Sequence, residues 1–168
     1  MFSSQNKSYA LRHGTEIWNE AERRIQEYFD AHLYGWDRVD QSIASFARIY
    51  QGRVKRPDYI VYLDTYTKII VDAKDWTLDA EFRNFHIDEG DARRAAEWER
   101  QHGSKLWLAI SNEHSDYKTW YYISISRILE VCPLRTSRKS GNFFRTFTIL
   151  DCVTIGPEDS LSKLFRKI

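Results

Sequence analysis

Two apolar runs, Tyr59-Ile60-Val61-Tyr62-Leu63 and Ile69-Ile70-Val71, stand on either side of the polar stretch Asp64-Thr65-Tyr66-Thr67. Runs of this β-branched and aromatic character separated by a short polar turn predict a β-hairpin over residues 56–77, with strands buried on both faces. Upstream, Ile17, Ala21, Ile25, Tyr28 and His32 recur at helical spacing with Phe29 beside them, which predicts a helix over 15–33, started at Gly14-Thr15 and stopped at Gly35. Residues 36–40 read as a first strand. Ile43, Phe46, Ala47 and Tyr50 then give a short helix or an irregular insertion that ends at Gly52. After the hairpin, residues 75–91 read as an acidic, aromatic loop over the hairpin's end. Ala92, Ala95, Ala96 and Trp98 form one small apolar face and predict a second helix over 89–101, ended by Gly103. Leu106-Trp107-Leu108-Ala109-Ile110 is a clear strand.

Beyond residue 111 the pattern turns aromatic and β-branched at 118–125 and 143–155, with a turn of helix at 127–131 between them. These segments either extend the sheet or form a dimer surface. Residues 134–141 are a basic loop, and Leu161, Leu164 and Phe165 mark an amphipathic tail helix over 160–168. Residues 1–13 are polar and loose. A chain of 168 residues with 42% hydrophobic content, six Trp, ten Tyr and nine Phe is long and apolar enough for one domain around one core. Its charges nearly cancel, to +1, so any affinity for nucleic acid must come from a local basic face. Two cysteines, Cys132 and Cys152, are too few for a disulfide framework or a zinc site. No apolar run approaches membrane-spanning length, the first fourteen residues lack a signal core, and no P-loop or dinucleotide fingerprint is found. The expectation is an intracellular, cytoplasmic protein with no membrane association and no nucleotide cofactor.

The hairpin carries the candidate chemistry. Asp58 opens its first strand, and Asp72 and Lys74 close its second. Side chains alternate along a strand, so Asp72 and Lys74 share a face while Ala73 points away. In an antiparallel pair the start of one strand lies beside the end of the other, which brings Asp58 towards Asp72. Two carboxylates and an ammonium gathered on an apolar hairpin are costly unless something binds them, and a divalent metal is the obvious candidate.

Pro57-Asp58, thirteen intervening residues, then Asp72-Ala73-Lys74 resembles the signature of the PD-(D/E)xK nucleases, the restriction-endonuclease-like superfamily. The chain is also similar in size to the small archaeal Holliday-junction resolvases and shares a glycine-then-helix-glutamate opening with them, although its link from first helix to Asp58 is longer. The resemblance implies an α/β fold with an α-β-β-β-α-β core: a mixed central sheet flanked by helices, here with additional C-terminal strands. It implies a metal-dependent DNA endonuclease, structure-selective or accessory, leaving a 5′-phosphate and a 3′-hydroxyl. Asp58, Asp72 and the backbone carbonyl of Ala73 are then the expected ligands of Mg²⁺ or Mn²⁺, with Lys74 assisting the attacking water. Glu20 is the expected contribution of the first helix to the metal shell, with Glu16 and Glu22 as the other carboxylates on that helix. Arg53, Lys55 and Arg56, just before the hairpin, and Arg135, Arg138 and Lys139, in the basic loop, are the candidate DNA contacts. A homodimer is the expected assembly, with the aromatic strands and the tail as its interface. The alternative is a catalytically silent nucleic-acid-binding or assembly protein of the same fold.

Overall fold

The computed structural model describes residues 11–13, 16–42, 45 and 47–166. A short antiparallel hairpin comes first, β1 (Leu11–His13) with β2 (Glu16–Trp18). Then follow α1 (Glu20–Ala31), β3 (Gly35–Arg38), a 3₁₀ turn at Arg48–Tyr50, β4 (Tyr59–Tyr62) and β5 (Lys68–Asp75). β6 (Phe85–Asp88) leads directly into α2 (Glu89–His102), and β7 (Leu106–Ser111) returns to the sheet. The remainder is β8 (Trp120–Ser124), α3 (Ile125–Val131), β9 (Leu134–Thr136), β10 (Phe143–Phe147), β11 (Val153–Ile155) and a 3₁₀ tail at Leu161–Phe165.

Six strands form one mixed sheet in the order β11-β8-β7-β5-β4-β3, in which β5 and β7 are parallel and the other neighbours antiparallel. A parallel pair cannot be joined by a tight turn, and α2 makes the crossover between β5 and β7. Leaving aside β6, which belongs to another sheet, the chain runs α1-β3-β4-β5-α2-β7, the α-β-β-β-α-β order expected from the sequence. Helices cover both faces of the sheet, and β8 and β11 widen it on the C-terminal side. β6, β10 and β9 form a separate antiparallel sheet beside α2 and α3.

β5 is the central element because it is buried on both faces. Ile69, Val71 and Ala73 point into a core with Ile25 and Phe29 of α1, whereas Ile70 points into a second core with Ala92, Ala95 and Trp98 of α2. Each such fully buried aliphatic or aromatic side chain contributes about 1.5–3 kcal/mol relative to exposure. Asn19 fixes the start of α1: its side-chain oxygen accepts the Glu22 N–H at 2.8 Å, and its amide donates to a Glu22 carboxylate oxygen at 2.7 Å. At the other end Leu33 takes a left-handed conformation, φ 58°, and the Tyr34 N–H bonds back to the Phe29 carbonyl at 3.0 Å.

Several boundaries differ from the pattern reading. The first helix begins at Glu20; residues 16–18 are strand, paired with residues 11–13, so Ile17 belongs to a hairpin. Gly14, Thr15, Ile43 and Phe46 lie outside the described residues, as do residues 1–10 and the last two of the tail. The tail itself is 3₁₀ rather than α, with Leu161 and Leu164 in the α1 core. Residues 85–88, read as loop, are a strand with alternating burial, because β10 supplies a partner from sixty residues away that no local window can see. The same pairing makes residues 134–136 of the basic loop a strand. The 143–155 segment divides between the two sheets. Among the described residues no helix is long and apolar enough to cross a membrane.

Candidate active site

β4 ends at Tyr59, opposite Val71, while β5 runs four residues further to Asp75 along β7. This leaves a notch in the sheet beside residues 72–75. Asp58 sits at the mouth of the notch. Its backbone N–H bonds to the Val71 carbonyl at 3.0 Å, and its Oδ2 accepts the Ala73 N–H at 2.8 Å. That N–H has no β4 partner left, so the carboxylate takes the place of the missing strand. The amide and carbonyl of one strand residue project to the same edge, and the Ala73 carbonyl therefore faces the notch as well.

Tyr59 and Val61 point to the α1 core, so Asp58 lies on the opposite face of the sheet, the face shared by Asp72 and Lys74. Lys74 Nζ donates to Asp72 Oδ1 at 2.8 Å, and Asp72 is buried, with 4% of its surface exposed. The three side chains line one open pocket of about 310 Å³ together with Lys55 and the Gln41-Ser42 turn.

The charges in this pocket control one another. Burial, then the neighbouring Asp72 carboxylate, pushes Asp58 well above the usual carboxylate range. Burial also opposes ionisation of Asp72, but Lys74 and Lys55 outweigh it and hold Asp72 below that range. Lys74 is likewise opposed by burial and held up by Asp72 and Asp58, so it stays an ammonium. Without a cation, the pair therefore favours a proton on Asp58 over one on Asp72.

The donor set suits a hard cation. Among the described residues no group of three His, Cys, Asp or Glu side chains forms a metal cage. Mg²⁺ does not ask for one, since it keeps several waters and is held by one or two carboxylates and by substrate phosphate. Asp58, Asp72 and the Ala73 carbonyl could supply the protein's share.

The carboxylate of α1 that senses this site is Glu22. Its charge is felt by Asp58, it feels those of Asp72 and Lys74, and burial raises it above the usual range. Asn19 and Arg38, the latter at 3.2 Å, hold it in place. Glu20 faces elsewhere, in ion pairs with Arg23 at 2.6 Å and Arg24 at 3.0 Å. Glu16 is in β2, ahead of the helix. The capping spacing Asn19-x-x-Glu22 was the available signal: it sets Glu22 at the third helical position, where the side chain is tethered to the helix start.

Of the basic candidates, Lys55 is in the pocket and pairs with Asp91 at 3.6 Å. Arg56 lines the pocket too, but its guanidinium is bonded to the Asp40, Ser42 and Ser45 carbonyls and to the Ser45 hydroxyl. Arg53 faces an adjoining groove. Arg135, Arg138 and Lys139 belong to the small sheet and its turn and line neither cavity. His86 is on β6 with its ring against Phe144.

Fold and pocket together define a mixed α/β protein, a mixed sheet flanked by helices, with two aspartates and a lysine at the notch of that sheet. No protein-family model and no curated protein matches the chain. Among solved structures it is similar to Hjc, a Holliday junction resolvase from the archaeal hyperthermophile Archaeoglobus fulgidus, with a TM-score of 0.48 and 12% identity over 74% of this chain and 84% of that one.

Proposed function

We propose that the chain is a metal-dependent nuclease that hydrolyses phosphodiester bonds of DNA. The observation that carries the reading is the convergence of Asp58, Asp72 and Lys74 on one face of the notch, with Asp58 bonded to the Ala73 amide. Burying two carboxylates and an ammonium beside an apolar core has no structural return that a hydrophobic trio would not better. Asp58, Asp72 and the Ala73 carbonyl would hold Mg²⁺ or Mn²⁺, with Glu22 in the place expected of Glu20. When bound, the ion supplies a Lewis acid for the phosphoryl group and lowers the pKa of water at the site.

The chain's own residues supply position and charge. Lys74, kept as an ammonium by the two aspartates, donates to the attacking water and offsets negative charge that develops on the phosphoryl oxygens. Lys55 adds a second cation on the open side of Asp72. Water attacks phosphorus, the bond from phosphorus to the 3′-oxygen breaks, and the products carry a 5′-phosphate and a 3′-hydroxyl. A cleavage assay on single-stranded, duplex and branched DNA tests the reading, with Mg²⁺ or Mn²⁺ added and with chelator as control. Asp58→Ala, Asp72→Asn and Lys74→Ala should each lower the rate at least about a hundredfold. Metal-dependent cleavage that persists in purified Asp72→Asn protein would overturn it.

A further inference from the structure

A second, larger cavity of about 660 Å³ adjoins the catalytic pocket, and Val54 lines both. The segment 48–56 is the wall between them. The turn that follows its 3₁₀ helix is closed by Arg53 and Val54 N–H bonds to the Tyr50 carbonyl, and Gly52 at φ 74° provides the left-handed residue that turn requires. The Lys55 N–H then bonds to the Arg94 carbonyl at 3.2 Å, which fixes the segment across α2. Arg53 is thereby directed to the large cavity and Lys55 to the catalytic one.

The large cavity is lined by Arg53 from this segment and by Arg93, Arg94 and Arg100 from α2, against a single carboxylate, Glu97. Each helix arginine has a carboxylate partner, but two of those three carboxylates are shared with another cation. Glu89 is shared between Arg93 and Arg145, Asp91 between Arg94 and Lys55, and Glu97 serves Arg100. Arg53 makes no side-chain hydrogen bond or ion pair among the described residues. The Arg93 and Arg100 side chains are 67% and 71% exposed, so their ion pairs are of the surface kind, worth little and readily exchanged for another anion. Ile49 and Tyr50, 66% and 39% exposed, give the same cavity an apolar and aromatic rim. Guanidinium groups beside an exposed aromatic ring suit a nucleic-acid strand, whose backbone phosphates accept charged hydrogen bonds and whose base faces stack on aromatic rings.

We propose that this arginine-lined groove is the track for the nucleic-acid backbone on one side of the scissile phosphate. The inference rests on the nuclease reading and extends its substrate contact from the catalytic pocket, across Val54, onto α2. The residues are Arg53, Arg93, Arg94 and Arg100, and they read charge and backbone, not base sequence.

The test separates binding from cleavage. Full-length protein in chelator, where no hydrolysis occurs, is titrated by fluorescence anisotropy with a labelled single strand and with the corresponding duplex at several salt concentrations. The Arg53→Ser/Arg93→Ser/Arg100→Ser variant removes three exposed cations from the groove. A matched control, Lys68→Ser/Lys105→Ser/Arg127→Ser, removes three exposed cations at the opposite end of the sheet, where β5 and β7 begin and β8 ends. The groove variant should bind more than about tenfold more weakly, and its plot of log affinity against log salt should be shallower by about two to three. The control should keep the wild-type slope. Circular dichroism and the thermal midpoint verify that both variants fold. Equal losses in the two variants, or a groove variant with the wild-type slope, would overturn the track while leaving the nuclease reading intact. Wild-type protein that neither binds nor cleaves nucleic acid would overturn both.

Discussion

Asp58 accepts the Ala73 amide and lies against the Asp72 carboxylate, so its ionised form is disfavoured by burial and by like charge. Burial raises Glu22 and Asp75 in the same direction. A carboxyl with a raised native pKa keeps a proton that the unfolded chain has already released, and native stability falls as pH rises from the ordinary carboxylate range through the native value. Metal-free protein should therefore melt lower at about pH 8 than at about pH 5, and saturating Mg²⁺ should reduce that decline, because it replaces the missing proton with a cation. Calorimetry across that range, with chelator and with Mg²⁺, measures it; a metal-free midpoint that rises with pH would contradict the assignment. Asp58→Asn mimics the protonated carboxyl: its oxygen can still accept the Ala73 N–H, and its amide can donate to Asp72. The metal-free variant should be more stable near neutral pH by about 1 kcal/mol, roughly 2–4 °C for a chain of this size, while cleavage is lost. Glu22 and Glu20 give the complementary comparison. Glu22→Gln should cost about 10- to 100-fold in Mg²⁺ affinity or turnover, read from the metal dependence of the cleavage rate, and Glu20→Gln should leave both unchanged because its partners are Arg23 and Arg24.

At the scale of elements, what could be read in the sequence was what is local. The 59–63 and 69–71 runs gave the hairpin through their β-branched and aromatic residues, although only β5 is buried on both faces and β4 leaves Tyr62 40% exposed, and the alanine stripe gave α2. Asp58, Asp72 and Lys74 could be grouped on one face from strand alternation alone. Two of the failures, β6 and the α2 arginines, come from partners distant along the chain, and one, the start of the first helix, from a local hairpin. Phe85 and Ile87 alternate with His86 and Asp88 as a strand should, but four residues beside charged turns carry no signal without β10. Helical spacing extended the first helix back to Ile17, where pairing with residues 11–13 overrides it. Arg93, Arg94 and Arg100 look like a solvated helix face until the 48–56 segment is laid across them. The small sheet is tied to α2 by a further long-range contact, Arg145 to Glu89 at 2.6 Å, with both side chains nearly buried at 13% and 12% exposure. The same guanidinium donates to the Leu129 and Cys132 carbonyls at 3.1 and 2.8 Å. Arg145→Met should destabilise the fold by about 3 kcal/mol, measured by urea unfolding, since it strands those acceptors and leaves Glu89 only the exposed Arg93. A loss below about 0.5 kcal/mol would show that the small sheet is held by its apolar contacts alone.

For the whole molecule, the segments expected to be surplus to the core complete it instead. Trp120 and Tyr122 of β8, Ile155 of β11 and Leu161 and Leu164 of the tail lie in the same core as α1, each with at most 7% of its surface exposed. Tyr28 donates to the Asp159 carbonyl, and the Leu161 N–H donates to the Tyr34 hydroxyl at 3.0 Å, so the tail is fastened to α1 and the chain that follows it. Of the expected interface, Phe143, Leu150 and Phe165 are left outward, at 55%, 91% and 53% exposure. On the proposed nuclease reading, one chain offers one candidate catalytic pocket among its described residues, and a DNA duplex would have two strands to cut. A symmetric pair of chains would present two pockets together and cut both strands within one encounter. A chain whose aromatic strands and tail close its own core has less apolar surface to offer a second copy, and separate encounters then cut the two strands. The expected course on supercoiled plasmid is nicked circles accumulating first and linear DNA appearing later, at a rate proportional to protein concentration. Agarose gels of a time course distinguish the cases: linear product formed from the outset, without nicked circles ahead of it, would establish paired active sites and return the interface to Phe165 and its neighbours.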